Sequence, residues 1–282
     1  MITFGLDRLR RTAAVVAIAV AAVCGPDRAA GDASPWDGND RAAVRLIGGS
    51  AGVEGFIRAG IEIRLKPGWH TYWRYPGDAG VPPRFDFAAS QNVETVQVLW
   101  PAPRRLTEEG LTVIGYTEDV ILPLVVVPRD RTKSAMLRLA IDYAVCERLC
   151  VPMQATTELA LTGAPSSHDD VLAQARARVP KRRVLGEGSP LAVRSIAREA
   201  APTGARIIID VAGPANVDVF AEGPTPEWAL PLPVALASSA PGVQRFAVAL
   251  DGAPPGVRYE GALIAITAVA AGEAIEAVAP IP

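Results

Sequence analysis

Residues 136–153 read MLRLAIDYAVCERLCVPM, and this segment decides how the rest of the chain is interpreted. Residues 136–145 form a short apolar run in which apolar and other residues largely alternate, and this pattern predicts a β-strand with one buried face. Cys146 and Cys150 follow at once, separated by three residues. On a straight strand such cysteines would lie about 13 Å apart, whereas a disulfide needs Cα atoms within about 7 Å. A bond between them therefore requires the chain to turn at residues 147–149.

Similar short apolar runs, separated by Gly and Pro, extend on both sides of this segment. They occupy residues 42–47, 60–65, 93–100, 120–127 and 156–161, and later residues 205–211, 217–220, 244–250 and 262–268. Many short strands with turn signals between them are typical of antiparallel β-sandwiches. We therefore expect an all-β protein made of two immunoglobulin-like antiparallel β-sandwich domains.

The predicted domain boundaries follow from where this β pattern stops and resumes. Residues 34–163 form the first sandwich, which contains the cysteine pair, and residues 189–282 form the second. Residues 164–188 form a short connector, with a helix predicted over residues 169–179 from its acidic first turn and apolar face. The second sandwich contains neither Cys nor His, so we expect it to bind or support rather than to perform chemistry.

The first thirty-three residues are typical of a signal peptide. Three arginines precede an apolar run at residues 13–23, which is too short to cross a bilayer, since a spanning helix takes about 20 residues. Cys24 would leave with this peptide. The alternative, a lipoprotein acylated at Cys24, is disfavoured because Val23 is bulkier than such sites usually accept. We therefore expect export to the periplasm, where disulfides persist.

Composition excludes several classes of function. The formal net charge of −2 gives no field that would attract nucleic acid. No other apolar stretch approaches the length of a transmembrane helix, so no membrane span is expected in the mature chain. The sequence also lacks a phosphate-binding glycine loop, a Gly-x-Ser-x-Gly nucleophile motif and a His-Glu-x-x-His zinc motif.

Three interpretations of the cysteine pair remain open from residue types alone. Reversible thiol–disulfide exchange fits a small loop at a strand end, where bonds are labile. The second interpretation is a purely structural disulfide, although closing so short a loop adds little to the stability of the folded chain. The third is a copper(I) site in which Cys146, Cys150 and Met153 supply soft sulfur ligands. No Cys/His quartet for zinc is evident, and His70 either packs among aromatic residues or approaches the pair in space.

Several motifs together resemble one known family. They are GWHTYWRYPGDAGVPP at residues 68–83, WPAP at 100–103, GY at 115–116, LP at 122–123 and YAVCERLCVP at 143–152. They resemble the N-terminal periplasmic region of DsbD-type thiol:disulfide interchange proteins, most closely the ScsB branch linked to copper tolerance. Later segments at residues 222–233 and 246–252 resemble the second β domain of that branch. The cysteine motif, flanked by Tyr143 and Pro152, is the most specific part.

The resemblance implies a function and a set of site residues. Cys146 and Cys150 match the exchanging pair, which in the family takes electrons from a membrane-embedded partner and passes them to periplasmic proteins without a cofactor. A capping loop corresponds to residues 107–112, in which Leu111 would shield the pair beside Glu108 and Glu109, although the aromatic residue expected there is missing. Relatives continue into membrane helices and a thioredoxin-like domain beyond the point where this sequence ends, so we expect a separate electron donor.

Overall fold

The structure is a computed structural model that describes residues 32–108, 110–201, 204–237 and 240–282. The predicted signal peptide, with Cys24, lies outside these residues except for its last two. Those two take part in the fold, because the Asp32 carbonyl accepts a hydrogen bond from Gly48 N at 2.7 Å and Ala33 forms a β-bridge to Ile47. No helix in the described ranges is long and apolar enough to cross a membrane.

The first half of the chain folds into two sheets that face each other. Its strands are β1 (Asp37–Gly38), β2 (Ala42–Ala51), β3 (Ile57–Leu65), β4 (His70–Gly77), β5 (Arg84–Asp86), β6 (Val93–Val98), β7 (Arg104–Glu108), β8 (Leu111–Tyr116), β9 (Val120–Pro128), β10 (Ala135–Cys146) and β11 (Cys150–Leu161). The five-stranded sheet has the order β1-β2-β3-β9-β6, and the six-stranded sheet has the order β11-β10-β4-β8-β7, with β5 paired to β10. All these pairings are antiparallel.

Alternation along the strands places one face of each sheet in a shared core. On β10, Leu137, Leu139 and Ile141 are buried, and they pack with Trp73 of β4. The other face of β10 is partly or fully exposed from residue 136 to residue 142 and is buried at Ala144 and Cys146. The end of β10 is therefore covered on both faces, and this is where the site forms.

A short helix, α1 (Asp169–Ala177), forms within the connector, as the sequence predicts. It packs against the five-stranded sheet, with Leu172 seated over Gly49 and Gly60, where any side chain would come within 3 Å of a Leu172 methyl. The Asp169 carboxylate accepts a hydrogen bond from Ser50 N at 2.8 Å. The helix therefore packs on the first sandwich and is part of it, rather than forming a free linker between two domains.

The second half forms a second pair of sheets. Its strands are β12 (Lys181–Arg183), β13 (Ala192–Ala201), β14 (Gly204–Ala212), β15 (Asp218–Glu222), β16 (Val234–Leu236), β17 (Val243–Ala249), β18 (Leu263–Ala270) and β19 (Glu273–Pro280). Two four-stranded sheets result, ordered β12-β19-β18-β15 and β13-β14-β17-β16, and they enclose their own apolar core. Strand β12 lies inside the predicted connector and pairs in parallel with β19. The expected all-β, immunoglobulin-like sandwich class is confirmed.

Contacts between the halves converge on the strands that carry the site. Arg74 of β4 donates to the carboxylates of Glu222, at 2.7 Å, and of Glu276, at 2.5 Å. Next to it, the ring of Trp73 lies 5.7 Å from that of Phe220. On β7, Arg105 donates to the backbone carbonyl of residue 219 at 2.7 Å. The second half therefore buttresses β4 and β7 from outside.

Candidate redox site at the end of a β-hairpin

The two cysteines face each other across a tight hairpin. Cys146 is the last residue of β10, Cys150 is the first of β11, and the two are direct partners in the register. Residues 147–149 form the connecting loop, so the turn that the spacing requires is a three-residue hairpin. Both cysteines are free thiols, with their sulfur atoms 3.0 Å apart. The pair is placed so that a disulfide can form and break with little movement of the backbone.

Burial distinguishes the two thiols. Cys146 is fully buried in a small apolar cluster with Tyr72, Val113 and Ala144, whereas Cys150 is exposed. Burial, and then hydrogen bonding to Glu108, raises the pKa of the Cys146 thiol well above its ordinary value. In the reduced state Cys146 therefore stays protonated at neutral pH, and Cys150 is the sulfur that a partner protein can reach.

Glu108, the last residue of β7, brings a carboxylate to both sulfur atoms. Its Oε1 accepts hydrogen bonds from Cys146 Sγ and from Cys150 Sγ, the latter at 3.2 Å, while its Oε2 accepts one from the Tyr72 hydroxyl at 3.1 Å. Burial by itself raises the pKa of Glu108, but the hydrogen bonds from both thiols and Tyr72, with the nearby His70, hold that pKa below its usual range. The carboxylate is therefore ionised and organises the site.

Strand β4 supplies the remaining two groups. His70 is the register partner of Cys146, and two residues further on the Tyr72 hydroxyl lies 3.0 Å from Cys150 Sγ. The rings of His70 and Tyr72 meet edge to face, with centroids 5.5 Å apart. Burial, and then hydrogen bonding to Cys150, raises the pKa of Tyr72 far above its ordinary value, so the phenol stays protonated and can donate.

A glycine on β8 fixes the position of β4. Gly115 pairs with Tyr72 in the register, and a Cβ on Gly115 would lie only 2.0 Å from the carbonyl oxygen of Thr71. The Thr71 hydroxyl in turn donates to the Ala144 carbonyl at 2.9 Å, which ties β4 to β10. Close backbone approach at Gly115 therefore places Tyr72 and His70 against the cysteine pair.

Two residues expected near the pair lie on the opposite face of the hairpin. Tyr143 and Met153 are buried in the core between the two sheets, because residues three apart on a strand point to opposite sides. Met153 Sδ accepts a hydrogen bond from Asn39 Nδ2 at 3.5 Å. The three-sulfur copper set of Cys146, Cys150 and Met153 is therefore not assembled in this structure.

The remaining expected residues lie around the site without forming it. Pro152 shares the face of Cys150 but is exposed. Leu111, the predicted shield, stands at the tip of the β7–β8 hairpin with 49% of its surface exposed, so the side chain that reaches over the sulfur atoms is Glu108. Glu109 lies outside the described residues.

The sequence pattern does not single out Tyr72, and it allows two interpretations of His70. Both residues lie on β4, whose run of aromatic residues indicates a packed cluster rather than a strand. A signal was available, since residues 70 and 72 are two apart and share one face of any strand. Three groups of this site, His70, Glu108 and Cys146, also present metal-ligating atoms that lie within 4.8 Å of one another.

Fold and site together define a β-sandwich protein with a partly exposed dithiol at the end of a hairpin. Residues 50–162 match the family model described as thiol:disulfide interchange protein DsbD, N-terminal. That range contains every site residue named above, and it confirms the resemblance drawn from the sequence motifs. Residues 50–162 are therefore similar in sequence to the N-terminal domain of DsbD-type proteins.

A solved structure extends the likeness to both halves of the chain. The crystal structure of the N-terminal periplasmic domain of ScsB from Proteus mirabilis superposes with a TM-score of 0.70 at 20% sequence identity. The match covers 89% of this chain and 98% of that one. The two proteins thus share a fold that includes the second sandwich. No curated protein matches the chain by sequence.

Proposed function

We propose that the protein exchanges thiols and disulfides with other proteins through Cys146 and Cys150. The observation that carries this proposal is the asymmetry of the pair. The two sulfur atoms lie 3.0 Å apart, and Cys146 is buried whereas Cys150 is exposed. The ionised carboxylate of Glu108 accepts hydrogen bonds from both thiols. A bond used only as a staple needs neither an exposed sulfur nor a proton acceptor. The match of residues 50–162 to a thiol:disulfide interchange family supports the same proposal.

The exchange proceeds through the exposed sulfur. When the pair is oxidised, a partner thiolate attacks Cys150 Sγ, the bond between Cys146 and Cys150 breaks, and Cys146 departs as a thiolate that takes up a proton. The second thiol of the partner then attacks the partner's first sulfur, which is bonded to Cys150 in the mixed disulfide. A disulfide forms within the partner, and Cys150 is released as a thiol. Two electrons and two protons have passed from the partner dithiol to the pair, and no cofactor takes part.

Transfer in the opposite direction uses the same groups. The reduced Cys150 attacks a disulfide in a second protein, and Cys146, placed 3.0 Å away, resolves the mixed disulfide by forming its bond to Cys150. Glu108 accepts the proton that Cys146 loses as it attacks and returns it when Cys146 departs. The Tyr72 hydroxyl, 3.0 Å from Cys150 Sγ, stabilises negative charge on the attacking sulfur.

The partners are proposed on the resemblance and on the leader sequence. The basic and apolar N-terminal segment predicts export, and the structural match is to a domain described as periplasmic. We assign the protein to the periplasm, where a membrane-embedded donor reduces the pair and the pair then reduces periplasmic proteins. This direction makes the protein a carrier of electrons between two other proteins.

Trapping of mixed disulfides tests the proposal. If Cys150 is the attacking sulfur, the Cys146→Ser variant lacks the resolving thiol and accumulates covalent adducts with disulfide-containing periplasmic proteins. The Cys150→Ser variant, whose remaining thiol is buried, should give few or none, and the double variant controls for non-covalent capture. Adducts are resolved on non-reducing gels and identified by mass spectrometry. Equal trapping by both single variants contradicts the assignment of Cys150, and trapping by neither contradicts exchange itself.

A further inference from the structure

The cysteine pair is surrounded by donor groups that the exchange reaction does not fully use. His70 Nε2 is buried and has no hydrogen-bond partner in the described part of the chain. It lies 3.4 Å from Glu108 Oε2, but not in the geometry of a hydrogen bond. A buried imidazole nitrogen left without a partner is costly, and here it is aimed at a carboxylate that also contacts two thiols. A metal ion would satisfy that nitrogen.

Four strand ends bring these donors together. His70 begins β4, Glu108 ends β7, Cys146 ends β10 and Cys150 begins β11. The sulfur atoms are 3.0 Å apart, Cys150 Sγ is 3.2 Å from Glu108 Oε1, and the donor atoms of His70, Glu108 and Cys146 all lie within 4.8 Å of one another. Ligands of a tetrahedral zinc ion sit roughly 3.3–3.8 Å from each other, given bonds of about 2.0–2.3 Å. Cys150 is not part of that 4.8 Å group, so its exposed side chain must rotate toward His70 to complete a tetrahedral set.

We propose that the reduced protein binds one Zn²⁺ ion through Cys146, Cys150, His70 and Glu108. Two thiolates, one imidazole and one carboxylate complete a four-coordinate site of the kind that zinc favours. Copper(I) would draw on the two sulfur atoms and gain little from the hard carboxylate, so the donor set points to zinc. Tyr72 supports the site, because its hydroxyl bond to Glu108 Oε2 orients the carboxylate.

Zinc binding and disulfide formation exclude each other. The ion takes both sulfur atoms as thiolates, and the two thiol protons pass to the buffer, whereas the disulfide form has no thiolate to offer. A zinc-loaded chain therefore keeps its pair reduced and closed to partner disulfides until the metal is removed. This consequence for exchange rests on the proposed function, but the binding itself does not.

Zinc competition measures binding without any redox partner. The reduced mature chain and its disulfide form are titrated with Zn²⁺ against a chromophoric chelator in metal-free buffer. We expect one equivalent to bind the reduced form and none the disulfide form. His70→Phe keeps the aromatic packing on Tyr72 but removes the nitrogen, and it should weaken binding by at least about 10-fold. The matched control is His168→Phe, at the chain's other histidine, which should bind like the wild type.

In the titration, the proposal is overturned by equal zinc affinity of the reduced and disulfide forms, or by equal zinc affinity of His70→Phe and His168→Phe. X-ray absorption on the zinc-loaded wild type gives an answer that does not depend on how a variant folds. Two sulfur ligands at about 2.3 Å with nitrogen and oxygen at about 2.0–2.2 Å are expected, and a shell of sulfur alone or without sulfur contradicts the site. If the protein exchanges disulfides but does not bind zinc, the zinc site is refuted and the proposed function is unaffected.

Discussion

Replacing Glu108 with Gln tests how the site sets the stability of its reduced form. The carboxylate accepts hydrogen bonds from both thiols, and only 13% of its side chain is exposed, so water replaces these bonds poorly. Once the disulfide forms, the sulfur atoms have no protons to donate and the carboxylate loses both partners. Glu108 therefore stabilises the dithiol more than the disulfide, and it raises the reduction potential of the pair.

The size of the effect follows from ordinary hydrogen-bond energies. A hydrogen bond to a charged group contributes about 1.5–3 kcal/mol, and for a two-electron couple about 1.4 kcal/mol corresponds to 30 mV. Glutamine preserves the shape but is a weaker, neutral acceptor. Glu108→Gln should thus lower the reduction potential by about 30–60 mV.

The measurement uses redox buffers of graded glutathione or dithiothreitol ratio, with a metal chelator present throughout. Thiols are quenched by alkylation and counted by mass spectrometry. Glu118→Gln is the matched control, because Glu118 is an exposed glutamate in the loop between β8 and β9, and its potential should equal that of the wild type. A potential of Glu108→Gln that is unchanged or higher would refute this account of the carboxylate.

Other perturbations test the surrounding structure. Tyr72→Phe removes the hydroxyl that lies 3.0 Å from Cys150 Sγ. It should lower the reduction potential by about 10–30 mV in the same buffers, which is the effect of one neutral hydrogen bond. An unchanged reduction potential would mean that this contact does not stabilise the dithiol. Gly115→Ala would place a methyl group 2.0 Å from a carbonyl oxygen of β4. It should lower the free energy of unfolding, measured in urea, by about 1–3 kcal/mol. An unchanged midpoint of urea unfolding would contradict the close approach of the two strands. Hydrogen bonding from Arg245 lowers the pKa of Asp210, so the stabilisation by this ion pair is fully present above the unfolded pKa near 3.9 and is lost as pH falls through the folded pKa. Asp210→Asn should therefore lower the melting temperature more at pH 7 than at pH 3. An equal loss at both pH values would contradict the ion pair.

Much of the fold could be predicted from the sequence, because its central strands alternate strongly. The runs at residues 60–65 and 136–145 became β3 and β10 with the expected buried faces. Strands β13 and β19 were missed, since their Ala- and Glu-rich sequences have weak β-propensity. They are held by pairing with neighbours rather than by their own pattern.

The strands that build the site were the hardest to predict. The residues of β4 serve different parts of the molecule, since His70 and Tyr72 face the cysteines, Trp73 faces the core, and Arg74 binds carboxylates of the second half. Apolar and polar residues then no longer alternate, so periodicity fails. Glu108 could be named only through the family resemblance, because nothing in the sequence between residues 108 and 146 shows that the two meet.

The same reasoning explains why the alternative copper ligands Cys146, Cys150 and Met153 do not lie together in this structure. Cys150 and Met153 are close in sequence, but both lie on β11 and are three residues apart, an odd spacing that sends their side chains to opposite faces. His70, far away in sequence, is brought opposite Cys146 by the pairing of β4 with β10. Strand pairing, rather than sequence proximity, selects the groups that surround the sulfur atoms.

The reduction potential of the wild-type Cys146–Cys150 pair tests the central claim most directly. Because Glu108 and Tyr72 stabilise the dithiol and Cys150 is open to attack, we predict full exchange with glutathione buffers and a potential between about −120 and −270 mV, the range of proteins that exchange thiols and disulfides. A pair that stays oxidised below about −300 mV behaves as a structural disulfide. That result would contradict the account and leave an immunoglobulin-like adaptor with a stapled loop.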